Sequence, residues 1–228
     1  MVDCLWCRAY IPFKITLSKL LAFKPIEPFP LCERCKEELV VIDPDKACPS
    51  CSRSQDKQEL CKDCLRWQVV YPDRHLNHHA MFTYDGLITD ILYDYKYRNN
   101  YQRAEIFSLE IKKKLKPLIK KFDLITPIPS SQKSLTYRGY NPVEGLLETA
   151  GITYDAVLIN QLNGKKQAAK DRKARMESAQ PFVCMSDVKE KRILLVDDVY
   201  TTGRTLLHAY DVLEESGAGH IETFSLAR

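Results

Sequence analysis

Ile193-Leu194-Leu195-Val196-Asp197-Asp198-Val199-Tyr200-Thr201-Thr202-Gly203-Arg204-Thr205 decides the fold. Its first four residues are consecutive apolar β-formers, the pattern of a strand buried on both faces of a parallel sheet. Two carboxylates end the strand, a loop of small residues follows, and Leu206, Ala209, Tyr210 and Leu213 then recur at helical spacing. A strand that runs through a short loop into a helix is half of a βαβ unit. Backbone N–H groups at such a helix start make an anion site suited to phosphate. In this string Thr201, Thr202, Gly203 and Thr205 would supply that site, with Gly203 leaving room for a close approach of the anion. Asp197 and Asp198, one loop-length away, can accept hydrogen bonds from sugar hydroxyls and help hold Mg²⁺. A phosphate at one end and a diol at the other describe a ribose 5-phosphate.

Outward from this stretch the pattern alternates strand and helix. His79–Tyr84 reads as a strand, Leu87–Tyr97 as a helix, 103–121 as a longer helix that Pro117 should kink or end, and Leu124–Ile128 as a buried strand. Val143–Ala150 reads as a helix closed by Gly151, Tyr154–Ile159 as a strand, Gly203–Ser216 as a helix closed by Gly217, and Ile221–Leu226 as the strand that completes the sheet. The class is α/β, with a small parallel sheet. Residues 160–180 read as a polar, basic loop.

The first 66 residues differ in kind. Eight of the nine cysteines form four Cys-x-x-Cys pairs: Cys4/Cys7, Cys32/Cys35, Cys48/Cys51 and Cys61/Cys64. A Cys-x-x-Cys knuckle puts two thiolates on one ion, and two knuckles make a tetrahedral site. The spacing predicts two structural zinc ions. Sequential pairing and an interleaved cross-brace both satisfy it. A closed four-thiolate site has no open position for chemistry, so these ions would staple a segment too small to fold alone. The expected division is a zinc-binding domain over 1–66 and a second domain over 67–228, with Tyr71-Pro72-Asp73 marking the connection.

Composition excludes several classes. Of 228 residues, 45% are hydrophobic and 28% charged, so disordered, collagen-like and rod-like chains are out. A formal charge of +4 is too mild to argue for nucleic acid. Asp3 and Cys4 come at once, and the early apolar run Ile15–Phe23 is broken by Ser18 and Lys19. The expectation is a cytoplasmic protein, where dense thiols serve metals and not disulfides.

The string around Asp197-Asp198 is similar to the signature of type I phosphoribosyltransferases, which bind 5-phosphoribosyl-1-pyrophosphate (PRPP). With its N-terminal cysteine pairs, nearly the whole chain resembles the ComF family. That family's Arg-Gly-Phe-Asn motif appears as Arg138-Gly139-Tyr140-Asn141, with Pro142 where a glutamine commonly follows. Thr126-Pro127-Ile128-Pro129-Ser130 stands in the place of its pyrophosphate loop. The resemblance implies a PRPP site over Asp197–Thr205 with Pro129, Ser130 and Arg138, and Asp197 and Asp198 as its catalytic carboxylates. That span includes Val199, Tyr200 and Arg204 beside the residues named above. It also implies Mg²⁺ arriving with PRPP, a role in natural competence and DNA uptake, a ComFA-type DNA-dependent ATPase as partner, and action on single-stranded DNA.

Weaker features bear on the same question. Lys165, Lys166, Lys170, Arg172, Lys173 and Arg175 place six cations in eleven residues. The resemblance makes this the loop that closes over PRPP; by its charge alone it would follow a nucleic-acid backbone or be simply a solvated loop. Tyr93, Tyr95, Tyr97 and Tyr101 with Lys96 and Arg98 could stack bases or simply pack. The apolar side chains between Cys7 and Cys32, among them Leu17, Leu21 and Phe23, would serve a protein contact or pack on the second domain. Turnover and binding without turnover are both compatible with these residues.

Overall fold

The computed structural model describes residues 2–12, 21, 30–72, 74, 76–161 and 180–228. The basic loop at 165–175 and most of the apolar segment between Cys7 and Cys32 lie outside the described residues.

Four strands form the central sheet: β3 (His78–Phe82), β4 (Leu124–Pro127), β7 (Arg192–Val199) and β8 (His220–Ala227). Their order is β3-β8-β7-β4, and every pairing is parallel. Side chains alternate along β7 between two cores. Leu194 and Val196 face one apolar cluster, and Ile193 and Leu195 the other. The continuous apolar run 193–196 is therefore a strand covered on both sides.

On the first face lie α3 (Gly86–Tyr97), α4 (Glu105–Ile119) and α6 (Pro142–Thr149). On the second lies α7 (Arg204–Glu215), whose Leu206, Ala209, Val212 and Leu213 are buried. Helix α4 runs through Pro117 and stops two residues later at Ile119, as a proline near the last turn allows. Lys112, Lys113, Lys114, Lys116, Lys120 and Lys121 are exposed along and just beyond it. Gly151 and Gly217 take the left-handed backbone that closes α6 and α7.

Two expectations change. The strand foreseen at 154–159 forms only over β5 (Leu158–Asn160), and it leaves the parallel sheet to pair antiparallel with β6 (Phe182–Cys184). A short helix, α5 (Gln132–Arg138), fills the connection after β4; its Ser131 cap accepts from the Ser134 amide, and none of its residues is fully buried. With no apolar periodicity, only its serine cap and the glycine after it mark it in the sequence.

The N-terminal part has little regular structure. It contains the two-residue strands β1 (Val2–Asp3) and β2 (Tyr10–Ile11), then α1 (Glu33–Glu37) and α2 (Lys62–Val70). Helix α2 continues through positions 66 and 67. Cys4, Leu31 and Cys35 belong to the first apolar cluster, and Cys48, Cys51, Cys61 and Cys64 to the second. The cysteine segments thus pack on opposite faces of one sheet. Among the described residues no helix is long and apolar enough to cross a membrane.

Candidate phosphoribosyl site and metal centres

Parallel strands deliver their carboxyl ends to one edge, where ligands bind in open α/β sheets. Here that edge gathers the ends of β4 and β7. Pro127 pairs with Val196, and the Ile128 amide donates to the Val196 carbonyl at 2.8 Å. The loop carrying Pro129 and Ser130 therefore starts beside Asp197.

Asp197 and Asp198 are both buried. The Asp198 amide donates to Asp197 Oδ1 at 2.8 Å. Lys96, in the last turn of α3, places Nζ 2.7 Å from Asp198 Oδ1. Burial pushes the Asp197 carboxyl up to about 8, and the neighbouring Asp198 charge adds to the shift. Burial also works against the Lys96 charge, but Asp198 outweighs it and holds the ammonium above its ordinary range. One largely enclosed cation thus pairs with Asp198 and lies within the field of Asp197. Lys96 was legible only as a cation among tyrosines; nothing local in the sequence pairs it with a residue 102 positions away.

The 138–141 motif is a scaffold for this edge. Arg138 ends α5 and donates through Nε to the Lys96 carbonyl at 2.7 Å. Gly139, at φ +83°, lets the chain reverse. The Tyr140 hydroxyl donates to the Tyr95 carbonyl. Asn141 is buried; its Oδ1 accepts from the Val143 amide at 3.0 Å and so caps α6. Its Nδ2 donates to the Ile128 carbonyl at 3.0 Å, and Ser130 Oγ lies 3.5 Å from Asn141 Oδ1. Asn141 therefore ties the loop after β4 to α6. Tyr95 is buried with its hydroxyl on the Pro142 carbonyl, so it is a packing residue, whereas Tyr93 and Tyr97 form an exposed ring pair 5.2 Å apart.

Beyond Val199 the loop of residues 200–203 leads into α7. Thr201, Thr202 and Thr205 are exposed. Helix geometry leaves the first amides of α7 without intrahelical partners. The first closing bond runs from the Leu207 amide to the Gly203 carbonyl. Gly203 has φ +82°, and a Cβ there would lie 2.2 Å from the Tyr200 hydroxyl. The close approach that requires glycine is thus made to Tyr200, which is buried beneath the loop with its ring 4.5 Å from that of His78. Arg204 directs Nε to His208 at 3.2 Å.

The cysteines fall into two tetrads, Cys4/Cys7/Cys32/Cys35 and Cys48/Cys51/Cys61/Cys64, with the four sulfurs of each within 4.8 Å of one another. This is the sequential pairing. Sulfurs about 2.3 Å from one tetrahedral ion stand about 3.8 Å apart. Pairs at this spacing include Cys7–Cys32 at 3.6 Å, Cys48–Cys64 at 3.7 Å and Cys51–Cys61 at 3.6 Å. Both tetrads are built alike. The first knuckle closes with an amide donating back to the first cysteine carbonyl, Arg8 to Cys4 and Ser52 to Cys48, and Arg8 and Ser52 both have positive φ. The second knuckle opens a helix, with Cys32 capping α1 and Cys61 capping α2. Four soft donors in this arrangement can hold a metal ion.

His78, in contrast, serves the fold. It is buried with its ring nitrogens on the Thr223 and Ser225 hydroxyls, and burial pushes its pKa well down.

Comparison with known proteins adds the following. The phosphoribosyl transferase domain family matches residues 146–228, which include Asp197, Asp198 and the loop into α7. Competence protein ComFC of Streptococcus pneumoniae is 32% identical over 228 residues, spanning 100% of both chains. Competence protein ComFC of Bacillus subtilis is 30% identical, over 99% of this chain and 94% of that one. Competence protein F of Haemophilus influenzae is 24% identical, over 90% of this chain and 87% of that one.

Proposed function

The chain belongs to the ComFC family of competence proteins, and from that premise we propose that it is a DNA-uptake accessory protein whose sheet edge binds PRPP or ribose 5-phosphate. The observation that carries the reading is the buried Asp197-Asp198 pair standing one loop before the start of α7. Thr201, Thr202, Gly203 and Thr205 hold the 5-phosphate, and Asp197 and Asp198 take the ribose diol. Pro129, Ser130 and Arg138 border the pyrophosphate. Mg²⁺ bound with PRPP would neutralise the pyrophosphate and ease its departure as a leaving group.

Each cysteine tetrad holds one zinc ion, a reading supported by the all-thiolate donor set and the sulfur spacing. The zinc-binding part, residues 1–66, docks a ComFA-type ATPase. Leu65, with Val69 just past that boundary on the same helix, supports this: the two are 49% and 82% exposed and one helical turn apart on α2. Single-stranded DNA follows the face bearing Tyr93 and Tyr97, where Arg98 lies 5.8 Å over the Tyr93 ring.

Turnover on a small acceptor is the second reading. It is favoured by Asp197, whose carboxyl, at about 8, suits proton transfer near neutral pH. Pyrophosphate release from PRPP, assayed with and without single-stranded DNA and candidate bases, separates the two. Release above background supports an enzyme, and its absence alongside measurable PRPP binding supports the accessory role. The partner reading is tested by pull-down of the ATPase with the full chain and with Leu65→Glu/Val69→Glu. Equal capture by both would remove the α2 face from the account.

A further inference from the structure

The loop at 200–203 is held from behind by two side chains that both lead to the second cysteine tetrad. Arg228 is the first. Its guanidinium side chain is 6% exposed. Nη1 donates to the Thr201 carbonyl at 2.9 Å and reaches the Tyr200 carbonyl at 3.3 Å. Nη2 donates to Cys51 Sγ at 3.3 Å and lies 3.7 Å from Asp63 Oδ2. The guanidinium carbon sits 4.5 Å over the Tyr200 ring, while Nε is buried without an acceptor among the described residues. Trp67 is the second. It stands one turn after Cys64 on α2, and its Nε1 donates to the Thr202 carbonyl at 2.7 Å. Three successive carbonyls are therefore engaged on the side of the tetrad.

The backbone of Arg228 is fixed independently of this contact. Its amide donates to the Phe82 carbonyl, and its own carbonyl accepts from the Tyr84 amide. The side chain alone spans tetrad and loop. A planar fork can serve a thiolate and two carbonyls at once, which a lysine ammonium cannot do with the same geometry. Partners of this kind around a metal site orient its ligands and in turn take their place from them.

We propose that Arg228 and Trp67 are positioning residues that fix the phosphate-loop shape, and that their own placement depends on the metal-loaded second tetrad. The inference rests on the reading of residues 201–205 as the phosphate site. It makes a site with no open coordination position a determinant of ligand affinity elsewhere in the molecule. Loss of the ion unfolds the knuckle carrying Cys51 and frees the start of α2, so the clamp on the carbonyls is lost with it.

The test uses the full chain and two readouts: amide hydrogen exchange of the segment 200–206, and calorimetric titration with ribose 5-phosphate. Arg228→Gln should retain two zinc ions per chain, exchange the loop amides at least about tenfold faster, and bind ribose 5-phosphate about tenfold more weakly, as loss of a charge-assisted contact implies. Trp67→Phe, which keeps an aromatic ring but removes the donor with the smaller ring of the indole, should move both readouts in the same direction by less. Arg228→Lys should recover only part of the loop protection. Cys51→Ser should quicken loop exchange as Arg228→Gln does. Unchanged loop exchange in Arg228→Gln and Trp67→Phe would overturn the clamp. If the wild-type chain binds no ribose 5-phosphate, the phosphate reading fails, and the exchange arm still decides whether the clamp exists.

Discussion

Lys96 Nζ lies 2.7 Å from Asp198 Oδ1, and the pair joins the last turn of α3 to the end of β7 inside the protein. Neither group can be removed alone without leaving a charge in a buried site. Lys96→Met and Asp198→Ala should each destabilise the fold by about 3–5 kcal/mol, while the double variant recovers much of that loss. Urea unfolding of the four proteins measures the coupling. Strictly additive losses would mean that the pair contributes nothing as a pair.

Asp197 gives the pH dependence. Its carboxyl titrates at about 8 in the folded protein, against about 3.9 in an unfolded chain. Between these values the native state holds a proton that the unfolded state has released. Its contribution is therefore fully present below about pH 4 and is lost as pH rises to about 8, at up to about 1.4 kcal/mol per pH unit. The stability difference between wild type and Asp197→Asn should fall steadily from pH 5 to 8. Comparing the two proteins removes the opposing titration of His78, whose pKa burial lowers. A difference that stays flat across this range would show that Asp197 is ionised throughout.

The parallel sheet and its two helical faces were legible because β7 and α7 carry strong periodic patterns, and the metal knuckles because Cys-x-x-Cys spacing maps directly onto metal geometry, though which knuckles share a tetrad was not. What escaped was set by contacts distant in sequence. Lys96 meets Asp198, and Arg228 meets Thr201 and Cys51, through the way helix and strand ends converge, which no local pattern encodes. The stretch 154–159 looked like a sheet strand on propensity alone, yet its last residues pair with Phe182–Cys184. Gly203 was legible as necessary, but its neighbour, the buried Tyr200 hydroxyl, was not.

Gly203→Ala places a Cβ at φ +82° against that hydroxyl. The backbone strain alone amounts to about 1–3 kcal/mol. The variant should lose at least that much stability by thermal or urea unfolding, and should bind ribose 5-phosphate more weakly as the loop shifts. Wild-type stability in this variant would mean that the loop adopts another conformation with ease.

Two zinc ions per purified chain are expected by elemental analysis. Cys32→Ala/Cys35→Ala should retain one ion and expose residues 2–39 to proteolysis, because Cys4, Leu31 and Cys35 share one apolar cluster with the first face of the sheet. The phosphate loop, held by Arg228 and Trp67 beside the second tetrad, should keep its affinity for ribose 5-phosphate within about threefold, below the effect of one lost hydrogen bond. Fewer than one zinc per wild-type chain would defeat the metal assignment.

The most direct test of the central claim is calorimetric titration of the full chain with PRPP in the presence of Mg²⁺, run beside Asp198→Ala and Lys96→Met/Asp198→Ala. Saturable one-to-one binding by the wild type, weakened about tenfold or more in both variants by loss of the sugar contact, is the predicted result. No heat of binding from a folded, zinc-loaded wild-type chain, or equal affinity in the folded double variant, would contradict it.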